Sequence, residues 1–103
     1  MTPVVGGGNA NGATGNSVTI LGGSNNIIAT YNVAATIGGG VSNSILTTAG
    51  SSGFYGTIVG GFGNKITGGS TGATIGGGVS GTVSGSYSAI GGGNLNGITG
   101  IYS

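Results

Sequence analysis

The side chains of this sequence that could move a proton are one lysine, Lys65, and four tyrosines, Tyr31, Tyr55, Tyr87 and Tyr102; aspartate, glutamate, histidine and cysteine are absent. General acid–base catalysis draws mostly on His, Glu, Asp, Lys, Tyr or Cys, and a serine nucleophile needs a base beside it. Zinc requires thiolate, imidazole or carboxylate ligands, and calcium would find no carboxylate except the C-terminus. The glycine runs are not followed by Gly-Lys-Ser/Thr, so they do not form a phosphate loop. The expectation is a protein that is not an enzyme, with no catalytic residue, no metal and no cofactor. One basic residue cannot neutralise a run of phosphates, so nucleic acid is not an expected partner.

What remains is the chemistry of contact. The candidate contact residues are Phe54, Tyr55, Phe62, Lys65 and Tyr102. Lys65 lies one residue before an inward-facing Ile66, so strand alternation points it outward. Tyr55 and Tyr87 each precede a leading isoleucine by three residues, whereas Tyr31 and Tyr102 fall outside that register. Exposed aromatic residues anchor protein interfaces, and exposed aromatic rows are equally suited to holding sugars.

The elements that position these residues come from a repeat. A β-branched apolar residue, glycines, asparagine and a second apolar residue recur as VVGGGNAN, ILGGSNNII, IGGGVSNSI, IVGGFGNKI, IGGGVSGTV and IGGGNLNGI. The leading residues are Val4, Ile20, Ile37, Ile58, Ile75 and Ile90, so the unit returns every 15 to 21 residues. Short-period self-similarity of this kind predicts a solenoid. Thr19, Thr36, Thr57 and Thr74 precede the isoleucines, which places isoleucine inward and threonine outward. Ile28, Ile45, Ile66, Val83 and Ile98 supply a second inward column, so each unit reads as two short strands around a glycine corner.

Paired glycines such as Gly39-Gly40 supply positive φ or close backbone approach at that corner. Asn26, Asn43, Asn64 and Asn96 follow as turn residues whose stacked copies can form ladders. Leu46 to Gly56 interrupt the spacing and carry Phe54 and Tyr55, either as a surface loop packed back on the coil or as a projecting contact element.

With 29 glycines and one proline in 103 residues, collagen is excluded because glycine does not fall at every third position. Disorder is opposed by a net charge of only +1 combined with periodic apolar residues. Near-zero charge favours association. Each coil offers only two or three inward apolar side chains, which predicts several chains, three by expectation, sharing an apolar axis. Stacked at about 4.8 Å, six coils make a rod about 30 Å long. The stacked threonines also resemble the arrays of ice-binding solenoids, although only a single column is present.

The segments GSYSAIGGGNLNGITG and GATIGGGVSGTVSG resemble the glycine-rich repeats of trimeric autotransporter adhesin heads, and such arrays are similar to those of phage structural proteins. The resemblance spans Val4 to Ile98 and implies a parallel β-roll wound as a trimer. No secretory signal, stalk or membrane span is legible, so a complete autotransporter is not expected, nor is a membrane partner. A roll of this size is similar to the small proteins that decorate phage capsids.

The resulting expectation is an all-β, short-repeat parallel β-solenoid or β-roll of about six coils, intertwined or packed as a homotrimer. Residues 1–103 would form one repeat domain with an insertion loop at 46–56. Its expected role is a trimeric phage capsid decoration (cement) protein at the capsid surface of the virion, made in the host cytoplasm, with the major capsid protein as partner and Lys65 meeting an acidic group of the shell. The alternatives are a tail-fibre or adhesin tip that binds a host surface glycan or receptor, and an ice-binding solenoid.

Overall fold

The computed structural model describes residues 3–47, 53–68 and 70–103. Its strands are all two residues long. The first coil holds β1 (Val4–Val5) and β2 (Gly12–Ala13); the second holds β3 (Thr19–Ile20), β4 (Ile27–Ile28) and β5 (Asn32–Val33). The third holds β6 (Thr36–Ile37), β7 (Ser44–Ile45) and β8 (Gly53–Phe54); the fourth holds β9 (Thr57–Ile58) and β10 (Lys65–Ile66). The fifth holds β11 (Thr74–Ile75) and β12 (Thr82–Val83), the sixth β13 (Ala89–Ile90) and β14 (Gly97–Ile98).

These strands stack into two six-stranded sheets, β1-β3-β6-β9-β11-β13 and β2-β4-β7-β10-β12-β14, with all pairs parallel. The chain is therefore an all-β parallel solenoid of about five full turns. Its backbone donors reach from one coil to the next, as in Leu21 N–H to Ile37 O at 3.0 Å and Gly38 N–H to Ile58 O at 2.8 Å. Register aligns Thr19, Thr36, Thr57 and Thr74 in one outward column and Ile20, Ile37, Ile58 and Ile75 in one inward column. In the first coil Val5 stands opposite Ile20 and Val4 opposite Thr19.

The core is the seam between the two sheets. Ile20, Ile37, Ile58 and Ile75 from one side meet Ile28, Ile45, Ile66 and Val83 from the other, all buried. Burying such a side chain contributes about 1.5–3 kcal/mol, and β-branched residues suit an extended backbone. Val18, Ala35 and Ala73, each just before a column threonine, are also buried and fill the remaining corner. Within the chain these residues form one continuous buried cluster, with Ala13 and Ile98 packed against it at half-burial.

Two differences from the sequence reading concern shape. The coil has a third side, where β5 pairs in parallel with β8 and Asn16 bridges Val33. Its inward residues are Asn32, Gly53 and Ser70, all buried. Asn32 donates from Nδ2 to Ala29 O at 2.9 Å and Ile45 O at 3.1 Å, and its Oδ1 accepts from Thr47 Oγ1 at 2.8 Å. The molecule is also a slab rather than a rod, with extents of 31 × 29 × 16 Å.

The glycine-asparagine phrase is one device. The second glycine of each pair has positive φ, 88° at Gly40 and 97° at Gly61. A Cβ on Gly40 would strike Gly61 O of the next coil and Asn43 Nδ2 of its own. Asn43 is fully buried and donates from Nδ2 to Gly39 O and to Gly61 O, both at 3.0 Å, and to Asn26 Oδ1 at 3.2 Å. Its N–H donates to Asn26 Oδ1 at 3.0 Å, while its own Oδ1 accepts from Asn64 N–H at 3.0 Å. The asparagines therefore face inward as a continuous ladder from Asn11 through Asn26, Asn43 and Asn64, rather than serving only as surface turns. The ladder stops at Gly81, whose N–H donates to Asn64 Oδ1 at 2.9 Å. Among the described residues no buried side-chain polar atom lacks a partner.

Candidate functional site

With the interior satisfied, contact chemistry lies on the outside, where coil register turns scattered residues into columns. At the glycine corner, parallel bridges align Ser24, Val41, Phe62, Val79 and Asn94. Val41, Phe62 and Val79 are 40%, 53% and 43% exposed and form an unbroken apolar stripe across three coils. Phe62 is the member that sequence reading singles out. Val41 and Val79 could have been found by aligning the residue after the positive-φ glycine in every unit.

A second column lies at the other end of the first sheet's strands, two residues before Thr19, Thr36, Thr57, Thr74 and Ala89 and continuing to Tyr102. It contains Ser17, Ala34, Tyr55, Gly72, Tyr87 and Tyr102, all with φ between 53° and 64°. A bulky residue in left-handed backbone costs about 1–2 kcal/mol. Tyrosine occupies this position three times despite that cost. Tyr87 and Tyr102 stack with ring centroids 5.4 Å apart and planes 9° apart. Such a pair returns about 0.5–1.5 kcal/mol. Gly72 lies under Tyr87, where a Cβ would come within 3.2 Å of Cδ1.

Tyr102 therefore belongs to the tyrosine register. Counting back from a following isoleucine missed it, because no isoleucine follows it in this chain; the paired phrases GSYS and GIYS carry the signal. Tyr31 lies outside the column and is exposed.

Phe54 sits in β8 on the third side, opposite Val33, and its ring is 6.1 Å from that of Tyr55 at a tilt of 42°. Both residues are therefore held on the coil. The middle of the insertion loop 46–56, residues 48–52, lies outside the described residues. Lys65 projects from β10 between Ser44 and Thr82 and is exposed, as alternation requires. The structure thus groups Phe54 and Tyr55 at the tyrosine end, with Tyr102 higher in the same column. Phe62 stands at the opposite corner and Lys65 on the second sheet.

The outward threonines Thr19, Thr36, Thr57 and Thr74 stack in exact register but are only half exposed. On the second sheet the corresponding outward positions are Gly12, Ile27, Ser44, Lys65, Thr82 and Gly97, so no matching threonine column forms there. The outside of the slab thus carries two columns with exposed apolar or aromatic members and one charged side chain, Lys65. No family model, curated protein or solved structure matches this chain.

Proposed function

We propose that this chain is a non-enzymatic structural protein of a virus particle, a phage capsid decoration protein that works as a homotrimer. The observation that carries the reading is the apolar stripe Val41–Phe62–Val79 on a surface with a formal charge of +1. Exposed contiguous apolar surface marks interaction sites, and low charge favours association over a dispersed monomer. The mechanism is non-covalent stapling: the slab buries its apolar edges against copies of itself and against neighbouring capsid subunits. Binding the assembled shell in preference to free subunits stabilises the shell by mass action.

The test is the number of copies per purified particle. Hundreds of copies support a decoration protein, and loss of shell binding in a folded Phe62→Ser variant would link the stripe to it. A handful of copies supports the second reading, a fibre or adhesin tip that grips a receptor or glycan, for which the exposed Phe54–Tyr55 pair is the specific support. Tyr87 and Tyr102 serve that reading poorly, since each covers one face of the other and leaves less ring free for a sugar. The in-register threonine column keeps ice binding as a third reading, removed if purified protein shows no thermal hysteresis.

A further inference from the structure

The sequence has two Asn-Gly pairs, Asn11-Gly12 and Asn96-Gly97, one in the first coil and one in the sixth. Elsewhere in the asparagine column the following residue is Ile27, Ser44 or Lys65. An Asn-Gly pair can modify itself. The backbone nitrogen of the glycine, losing its proton, attacks the side-chain carbonyl carbon of asparagine, and the side-chain nitrogen leaves as ammonia. The resulting five-membered succinimide is opened by water at either carbonyl, giving aspartate or isoaspartate. One water is consumed and one ammonia released, with no oxidant or metal. Glycine favours the step because it has no Cβ to crowd the ring and reaches backbone angles closed to other residues.

The two pairs sit in opposite environments. Gly12 N–H is engaged, donating to Asn26 O at 2.8 Å. The Asn11 side chain is held on both sides: Nδ2 donates to Gly7 O at 2.8 Å and Gly23 O at 3.0 Å, and Oδ1 accepts from Asn26 N–H at 3.0 Å. Asn96 is exposed, and its one side-chain hydrogen bond among the described residues runs from Nδ2 to Gly92 O at 2.8 Å. Gly97 lies in β14, the last strand of its sheet among the described residues, in register with Thr82. Thr82 N–H donates forward to Asn96 O at 2.8 Å, so the equivalent N–H of Gly97 points off the sheet edge.

We propose that Asn96 is a self-modification site that deamidates in the folded chain, while the ladder protects Asn11. The product is a carboxylate in a chain that otherwise has no acidic side chain. It appears beside the shallow cavity of about 310 Å³ lined by Ile90, Asn96 and Ile98. A charge on an unpaired edge opposes the addition of a further strand. Isoaspartate does so more strongly, because its extra backbone carbon displaces the strand register.

The test incubates the folded 103-residue chain in mildly alkaline buffer, then cleaves after its one lysine, Lys65, which puts Asn11 and Asn96 on separate fragments. Mass spectrometry of the fragments reads amide-to-acid conversion at each site. Conversion is expected at Asn96, with Asn11 slower by at least about tenfold, the factor that a local opening cost of about 1.4 kcal/mol produces. In concentrated urea the two sites should convert at similar rates, and Asn96→Gln should abolish conversion in fragment 66–103. Equal rates in the folded chain, faster conversion at Asn11, or an Asn96 stable when folded yet reactive in urea would each overturn the proposal.

Discussion

Replacing Asn43 with alanine removes the central rung of the ladder. The side chain is fully buried, donates to Gly39 O and Gly61 O at 3.0 Å and to Asn26 Oδ1 at 3.2 Å, and accepts from Asn64 N–H at 3.0 Å. Each hydrogen bond is worth about 1 kcal/mol net, and a buried partner left unpaired costs about 1–3 kcal/mol. Losing three such contacts, and stranding Asn64 N–H between coils, gives an expected destabilisation of about 3–5 kcal/mol. That is a large part of the total stability of about 5–15 kcal/mol typical of a domain. Asn96→Ala is the control, because Asn96 is exposed and makes one side-chain bond, to Gly92 O. It should cost less than about 1 kcal/mol. Urea unfolding followed by circular dichroism measures both. An Asn43→Ala variant no less stable than Asn96→Ala would refute the argument that buried amides hold the coils together.

Neighbouring glycines should respond unequally to the same change. Gly40→Ala, with φ of 88° and a Cβ driven into Gly61 O, should lose about 2–4 kcal/mol. Gly39→Ala, with open space around its Cβ, should stay within about 0.5 kcal/mol by the same urea titration. Gly81 interrupts the ladder without left-handed backbone, so Gly81→Asn should add about 1 kcal/mol by completing it; an unchanged or lower midpoint would contradict that.

Much of the fold was legible because its signal is apolar and periodic. Ile20, Ile37, Ile58 and Ile75 alternate with threonine neighbours, and that alternation alone assigns inside and outside. The glycine corners were equally readable, since the second glycine of each adjacent pair takes a positive φ that other residues rarely adopt. The third side was not, because Asn32, Gly53 and Ser70 point inward and carry no apolar period. The same blindness hid the ladder: Asn43 has a turn-former's chemistry and a core residue's burial, and only three-dimensional stacking distinguishes them. In the first coil Val4 and Val5 are both β-branched, so the register there was ambiguous by one residue, the slip that reverses inside and outside. Among the contact residues, Phe62 and the Phe54–Tyr55 pair were visible as exposed aromatic types. The Val41–Phe62–Val79 stripe needed the coil register.

The most direct test of the proposal that this slab, with a formal charge of only +1, works by association is the mass of the purified chain by light scattering, with far-UV circular dichroism on the same sample. The account predicts a β spectrum and three chains of 9.4 kDa, about 28 kDa in total. A folded species of 9.4 kDa that stays monomeric at high concentration would contradict it.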